Sequence, residues 1–464
     1  MRNNEVILLV DTYRKLHRRG AKVNLVNIID KTHPADLALL FRSFTLHERL
    51  YFFSLIKTNE QKAEVLSELD DNNIVEVLHS LKRDDVINIF REMDYDDESS
   101  ILRLLPAEEQ QELLNLMKDE ESREVEALMT YDEDTAGGIM NPEVFHLHEG
   151  MTIGKATEEI QKSHDTEMVF YIYVTDDRNH LIGVVSLRQL ILNDPLKKLS
   201  DIMVEDVISI RPETDQEEVA RLASRYNFVA VPVVDDENKL IGVVTVDDII
   251  DVLREEATED LLQMAGLGRD TDIILKSTWE TTKKRFPWLL ATYIGGLIAA
   301  LVIGSFHNLL SSFVILTSFL PIIAGMGGNI GTQSSTIITR GLLTGRVNPN
   351  TSLKIIFKEL RVGLILGLIY GVILGGIAFL MAYVIQSNGF DYSLIKCVEL
   401  SIAIAIGITI AMTLATFTGT VAPMLLNKLK IDPAIATGPF VTTTIDILGI
   451  LIYLLIASGL VHFL

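Results

Sequence analysis

Thr437-Gly-Pro-Phe-Val-Thr-Thr-Thr-Ile-Asp-Ile-Leu-Gly-Ile450 decides how this chain is read. It lies in the stretch 433–464, which is apolar enough to form a last transmembrane helix, with Asp446 near the middle. A carboxylate at that depth is expensive in lipid and normally faces a bundle interior or a water-filled path. Thr442 lies one turn before Asp446 and Gly438 one turn before Thr442, so the three share a helix face. We read that face as a cation path. The plain alternative is a buried aspartate paired to a neighbouring helix for packing.

Outward from this helix, four more stretches, 288–310, 313–338, 362–385 and 398–424, are each long enough to span a bilayer. Basic residues alternate between the connections. Lys283, Lys284 and Arg285 precede the first span; Arg340, Arg346, Lys354, Lys358 and Arg361 crowd the second connection; Lys428 and Lys430 fill the fourth. The turn 307–312 and the C-terminal tail have no Lys or Arg, and the loop 386–395 has none, with Lys396 just after it. By the positive-inside rule this predicts five spans in a plasma (inner) membrane, N-terminus cytoplasmic and C-terminus extracytoplasmic. Gly363, Gly367, Gly371 and Gly375 recur every four residues and read as a smooth stripe for close helix approach. Pro321-Ile-Ile-Ala-Gly-Met-Gly-Gly-Asn-Ile-Gly-Thr-Gln333 predicts a broken helix, because lipid cannot satisfy freed backbone groups unless they line a wet cavity. Asn329, Thr332 and Gln333 would add oxygens to that cavity; a purely structural kink is the alternative. Pro423 and Pro439 are expected to interrupt the last two spans.

The 464-residue chain carries a formal charge of −22, and the charge is divided unevenly. From Phe286 onward there are eight Lys/Arg and five Asp/Glu; residues 1–285 hold 33 basic and 58 acidic side chains. So acidic a surface repels nucleic acid and attracts cations. Met1 to Leu25 mixes charges throughout, which is not a signal-peptide pattern, so the soluble half is expected in the cytosol. The single cysteine, Cys397, excludes an intramolecular disulfide and a thiol-rich metal site.

Residues 1–130 read as an acidic all-α domain: Leu37, Leu40, Phe41, Phe44 and Leu46, then Val65, Leu66 and Leu69, recur at helical spacing. Short acidic joints such as Asp70-Asp71 and Asp94-Tyr-Asp-Asp97 separate helix pairs, which suggests a solenoid-like stack. Two copies of one α/β unit follow, at 131–198 and 199–253. Leu181-Ile-Gly-Val-Val-Ser186 and Leu240-Ile-Gly-Val-Val-Thr245 are offset by 59 residues, and Ile139-Met140 and Ile202-Met203 open the units. Each copy runs strand, helix, strand, turn, strand, helix, with Asp176-Asp177 and Asp235-Asp236 at the hairpin turns. This repeat resembles a tandem pair of CBS domains. Residues 254–284 read as a connector helix leading into the membrane domain, 285–464. Asp248, Asp251, Glu255 and Glu259 line one face of the approach, with Glu256 and Asp260 beside them. Stacked like charges destabilise an isolated helix, so either water or cations must relieve them.

In this order, the parts resemble the MgtE-type magnesium channels over essentially the whole chain. Tyr131-Asp-Glu-Asp-Thr-Ala-Gly-Gly-Ile-Met140 is similar to the family's entry into the first CBS unit. Gly327-Gly-Asn-Ile-Gly-Thr-Gln-Ser-Ser335 and Arg340-Gly-Leu-Leu-Thr-Gly345 are similar to its second-span signature. Asp446 falls where the family keeps a pore aspartate. The resemblance implies a homodimer in the lipid bilayer, with one pore lined by the second and fifth spans, and regulatory Mg2+ sites on the cytosolic side with the connector as a plug. Carried over residue by residue, the metal candidates are Asp94 and Asp97; Asp215, Glu217, Asp248 and Asp251; and Glu256, Glu259 and Asp260; the acidic helix face adds Glu255 to them. Asn227 departs from the pattern where relatives can offer a carboxylate. ATP or another adenine nucleotide at the CBS pair is a further implied ligand, with Thr245 and Asp248 in the ribose-contacting pattern; Gln189 replaces the corresponding aspartate in the first unit.

Mg2+ prefers oxygen ligands in octahedral geometry and dehydrates reluctantly. A conducting site needs few charges, since the ion must leave as well as enter. One Asp446 per subunit meets that need, and no enzymatic role is expected. An intramembrane protease could pair two Asp446 carboxylates across a dimer, but no span has a second deep aspartate and the sequence has no His-Glu-x-x-His or Gly-x-Ser-x-Gly motif. A proton- or sodium-coupled divalent cation carrier, regulated by nucleotide at the CBS pair, is the main alternative, although the five spans show no inverted repeat.

Overall fold

A computed structural model describes residues 3–463 apart from 164–169, 268–276, 348, 388–393 and 437. Thr437, the middle of the connector and most of the loop expected at 386–395 therefore lie outside the described residues. The chain divides into two compact units, Met1–Leu253 and Arg254–Leu464.

The first unit begins with a run of short helices from Asn3–Arg18 to Asp119–Leu128. Most are eight to ten residues long, and most pack on a helix two places away along the chain, as in a solenoid. Local chemistry marks the helix starts. Thr45 caps the helix Leu46–Phe53 by accepting from Glu48 N, and Glu48 returns a carboxylate to the Thr45 amide. Thr58 accepts from Gln61 N at the next start. The core is a continuous cluster that includes Tyr13, Leu40, Phe41, Phe52, Phe53 and Phe90.

The repeated α/β units follow. In the first, β1 (His146–His148) pairs parallel with β2 (Tyr171–Thr175), which pairs antiparallel with β3 (Leu181–Ser186). In the second, β4 (Ala230–Val234) and β5 (Leu240–Thr245) form the same hairpin. Its expected first strand shrinks to a single parallel bridge between Ile210 and Val233. Pro212 supplies the reason, because it has no N–H to extend the ladder. The two turns are built identically. Asp176 accepts from the amides of Arg178 and His180, Asp235 from those of Glu237 and Lys239, and Asn179 and Asn238 take positive φ. The two opening segments cross over: Met140 packs on Gly242 of the second unit and Met203 on Gly183 of the first. A Cβ at either glycine would collide with that thioether.

The second unit carries five helices long and apolar enough to cross a membrane: Thr278–Ser305, Val314–Leu343, Thr351–Val384, Leu394–Lys428 and Pro439–Leu460. The fourth is central and packs against the second, third and fifth, while the first packs on the fifth. Gly363, Gly367, Gly371 and Gly375 face Thr416, Thr409, Ala405 and Ser401 of the fourth span, and the Thr409 hydroxyl donates to the Gly367 carbonyl at 2.9 Å. The expected packing stripe is thus observed.

Two expectations are corrected here. The second span is one continuous helix from Val314 to Leu343, with Pro321 and all its glycines inside it. Gly327 and Gly331 serve close packing instead of unwinding: Gly327 lies against Ile445, and Gly331 lies against Ile445 and the backbone of Gly419. The fourth span likewise runs through Pro423, and Pro439 starts the fifth helix, where its fixed φ suits the first turn. Pro433–Ala436 forms a separate short 3-10 turn before it.

Candidate functional site

Two groups of oxygens stand out, one in each unit. In the membrane unit, Gly438 precedes the fifth helix, and Thr442 donates to its carbonyl from both its amide and its hydroxyl, each at 3.3 Å. The same hydroxyl lies 3.5 Å from that of Thr332 on the second span. One turn further on is Asp446, half-buried and without a hydrogen bond or ion pair among the described residues. Gly328 faces it: a Cβ there would stand 3.2 Å from Thr442 Cγ2 and 3.8 Å from Asp446 Oδ1. The absent side chain therefore makes the space beside the carboxylate. Among the described residues no side chain pairs with Asp446 as the packing alternative would have it. Asn329 is exposed, on a strip of the second span that also holds Gln333 and Thr336. Below them Ser334 donates to the buried Glu359 of the third span at 3.3 Å, which braces the second span from behind. A carboxylate, two hydroxyls and a carbonyl suit a hard cation that keeps part of its water.

In the soluble unit, the helix Tyr95–Arg103 begins with Asp96, Asp97 and Glu98, after Asp94 at its cap position. Asp94, Asp96 and Asp97 gather with Asp247 and Asp248, from the start of the helix Val246–Met264. Burial pushes Asp97 and Asp248 up to about 7 and Asp96 well above the ordinary carboxylate range, and neighbouring carboxylates add to each shift. Asp94 is raised for the same reasons, although Asn141 donates to it. Asp248 accepts from Thr245 Oγ1 at 2.6 Å, and Asp96 Oδ1 has no hydrogen-bond partner among the described residues. Such a cluster repels itself until protons or cations relieve it. Among the described residues, no three carboxylates or histidines are already closed around a metal-sized point.

The remaining predicted ligands have other settings. Asp215 caps the helix Gln216–Tyr226 by accepting from Glu217 N at 2.9 Å, and Glu217 pairs with Arg221 at 3.1 Å. Asn227 closes that helix with φ of +56°, a left-handed position that asparagine tolerates. Asp251, Glu255, Glu256, Glu259 and Asp260 lie on the helix Val246–Met264, which runs unbroken from the second α/β unit into the connector. Glu259 accepts from Gln263 at 2.6 Å. Asp96, Asp247 and Glu98 were missed by sequence reasoning, because an acidic run between helices reads as a solvated joint.

A cavity of about 210 Å3 lies between the α/β units, lined by Tyr171, Tyr173, Ser186, Gln189, Asp206 and Phe228 among others. Its aromatic and apolar walls fit a base, and Ser186, Gln189 and Asp206 offer polar contacts for a sugar. The cavity opens beside Gln189, not beside Thr245 and Asp248, where the resemblance places the better ribose contact. Asp248 itself is buried beside Asp94 of the helical domain. Gln189 is itself held by Ser186 and by the Ile202 carbonyl.

Five membrane-length helices together with a paired α/β module in the soluble unit make this a multi-pass membrane protein with a CBS pair. The CBS family model matches residues 136–194 and 199–255. The MgtE intracellular N domain matches 32–134, and the MgtE divalent cation transporter model matches 320–456. The magnesium transporter MgtE of Bacillus subtilis is 37% identical over 333 residues, covering 72% of this chain and 71% of the relative. That of Thermus thermophilus is 35% identical over 335 residues, with 72% and 71% covered. A crystal structure of the cytosolic domain of the Mg2+ channel MgtE in complex with ATP is 37% identical, with a TM-score of 0.50, covering 52% of this chain and 99% of that one. The soluble part of a magnesium transporter is 29% identical, also at a TM-score of 0.50, covering 54% and 99%. The chain belongs to the MgtE family of divalent cation transporters.

Proposed function

We propose that this protein is a channel that carries Mg2+ into the cell past Asp446 and is closed by cytosolic Mg2+ bound among its acidic residues. One observation supports the path above the others: a carboxylate at membrane depth, with no partner among the described residues, faces a glycine on the neighbouring span and has threonine hydroxyls one turn away. The magnesium transporters to which the chain is similar make Mg2+ the cargo. The exposed polar strip Asn329, Gln333 and Thr336 favours a homodimer, since polar groups at that depth need water or a second copy. The basic connections favour a cytosolic N-terminus and an outward C-terminus.

Closure follows from linkage. Binding shifts an equilibrium only by its differential affinity for the two states. Asp94, Asp97 and Asp248 converge only when the helical domain and the second CBS unit are docked, so Mg2+ favours the docked state. An adenine nucleotide in the cavity at Tyr171 and Gln189 is a second input, supported by the ATP complex of the similar cytosolic domain.

Asp446→Asn keeps size and hydrogen bonding and removes the charge. In vesicles reconstituted with purified protein, Mg2+ influx read by an entrapped indicator is expected to fall ~10-fold or more, the scale on which loss of even a supporting group at a metal site acts. Wild-type influx from this variant would remove Asp446 from the path. A coupled carrier, the competing reading, would instead show influx that follows an imposed proton or sodium gradient.

A further inference from the structure

Successive residues on a helix project about 100° apart. Asp96 and Asp97 turn toward Asp248, and Glu98, the next residue, turns away from them toward Glu121. Glu98 is only 3% exposed, and its side chain has no hydrogen bond or ion pair among the described residues. It lines a separate cavity of about 110 Å3 together with Arg91, Asp94, Tyr95, Glu121 and Glu143.

Glu98 has no cation of its own in this cavity among the described residues. Glu121 is already matched, by Lys118 Nζ at 2.8 Å and Arg91 Nε at 3.7 Å. Neither cation meets Glu98. An isolated buried carboxylate is costly, and the usual remedies are a paired charge, a proton or a bound cation. Here there is room for several waters; beside the thioethers of Met93 and Met117 and the guanidinium of Arg91, which Glu121 holds, the anionic donors are carboxylate oxygens with the Tyr95 phenol next to them. That set suits a hard divalent ion better than a soft one. The carboxylates are not closed around a point, so the ion would retain much of its water shell.

We propose that this cavity is a divalent-cation site anchored by Glu98, which shares Asp94 with the Asp97–Asp248 cluster but lies on the other side of the helix. An ion there bridges the helical domain to the segment entering the CBS pair, because Glu143 lies in that segment. The site stands or falls independently of whether the other cluster closes the channel.

Met93 and Met117 line the same cavity and report on it. The full-length protein in detergent is treated with Fe2+ and a brief pulse of hydrogen peroxide, and methionine sulfoxide is measured by peptide mass spectrometry. Bound Fe2+ generates hydroxyl radical locally, so Met93 and Met117 are expected to oxidise ~10-fold faster than Met151, which belongs to another core cluster. Excess Mg2+ should abolish the difference, while KCl at equal ionic strength should not. Glu98→Gln should lose it, and Asp97→Asn with Asp248→Asn should keep it. Oxidation at the Met151 rate, resistance to Mg2+, or an unchanged pattern in Glu98→Gln would each overturn the site. Should Glu98→Gln fail to fold, the Mg2+ competition on the wild-type chain decides alone.

Discussion

Asp446 was legible from sequence because a charge in a long apolar run has few structural excuses. Asp96 and Glu98 were not, because acids in an acidic segment look solvated, and only the folded helix shows which ones point inward. Arg49 teaches the same lesson with the opposite sign. It is buried, pairs with Glu76, and donates to the carbonyls of Phe41 and Phe44 at 3.2 Å each. Because Glu76 is well exposed, the ion pair contributes little; the two carbonyls matter more. Arg49→Ala strands both in the core. It is expected to cost about 2 kcal/mol, read as a lower denaturation midpoint for the helical domain. An unchanged midpoint would show that water replaces the guanidinium there.

Among the elements, the third and fourth spans are the easiest to read and the second the most misleading. Glycines every four residues have one geometric meaning, and the observed contacts with Thr409 and Ala405 match it. In the second span the same residue type predicts unwinding, yet a continuous helix uses it to approach the fourth and fifth spans. Sequence alone could not separate the cases, since both place glycine at membrane depth. Gly367→Leu would push a side chain into the Thr409 backbone. We expect loss of assembled protein on size-exclusion chromatography, with ion preference unchanged in whatever assembles. Normal assembly with altered preference would make the stripe part of the path.

The acidic junction between the helical domain and the second CBS unit has a pH signature. Its carboxylates titrate higher when docked than when free, so the docked state binds more protons. Stability of the docked state must then fall as pH rises from about 4, the free value, to about 7, the docked one. Without divalent cations, protease resistance of the soluble half should decline across that window. Saturating Mg2+ should flatten the decline, and potassium at equal ionic strength should not. Equal protection by potassium would reduce the effect to screening.

At the scale of the whole molecule, order and composition carried most of the information: an acidic soluble half, a repeated α/β unit, then five apolar helices. The crossing of the two opening segments, with Met140 on the second unit and Met203 on the first, was not legible, because a repeat does not say which copy its flanks pack against. The central claim is that one ion is both cargo and signal. The direct measurement is Mg2+ influx through the reconstituted wild-type protein as Mg2+ on the cytosolic-domain side is raised, beside Asp97→Asn with Asp248→Asn. Wild-type influx should fall steeply with that Mg2+, and the double variant should continue to conduct at concentrations that silence the wild type. Influx that ignores cytosolic-side Mg2+ in the wild type, or falls equally in both proteins, would contradict the account.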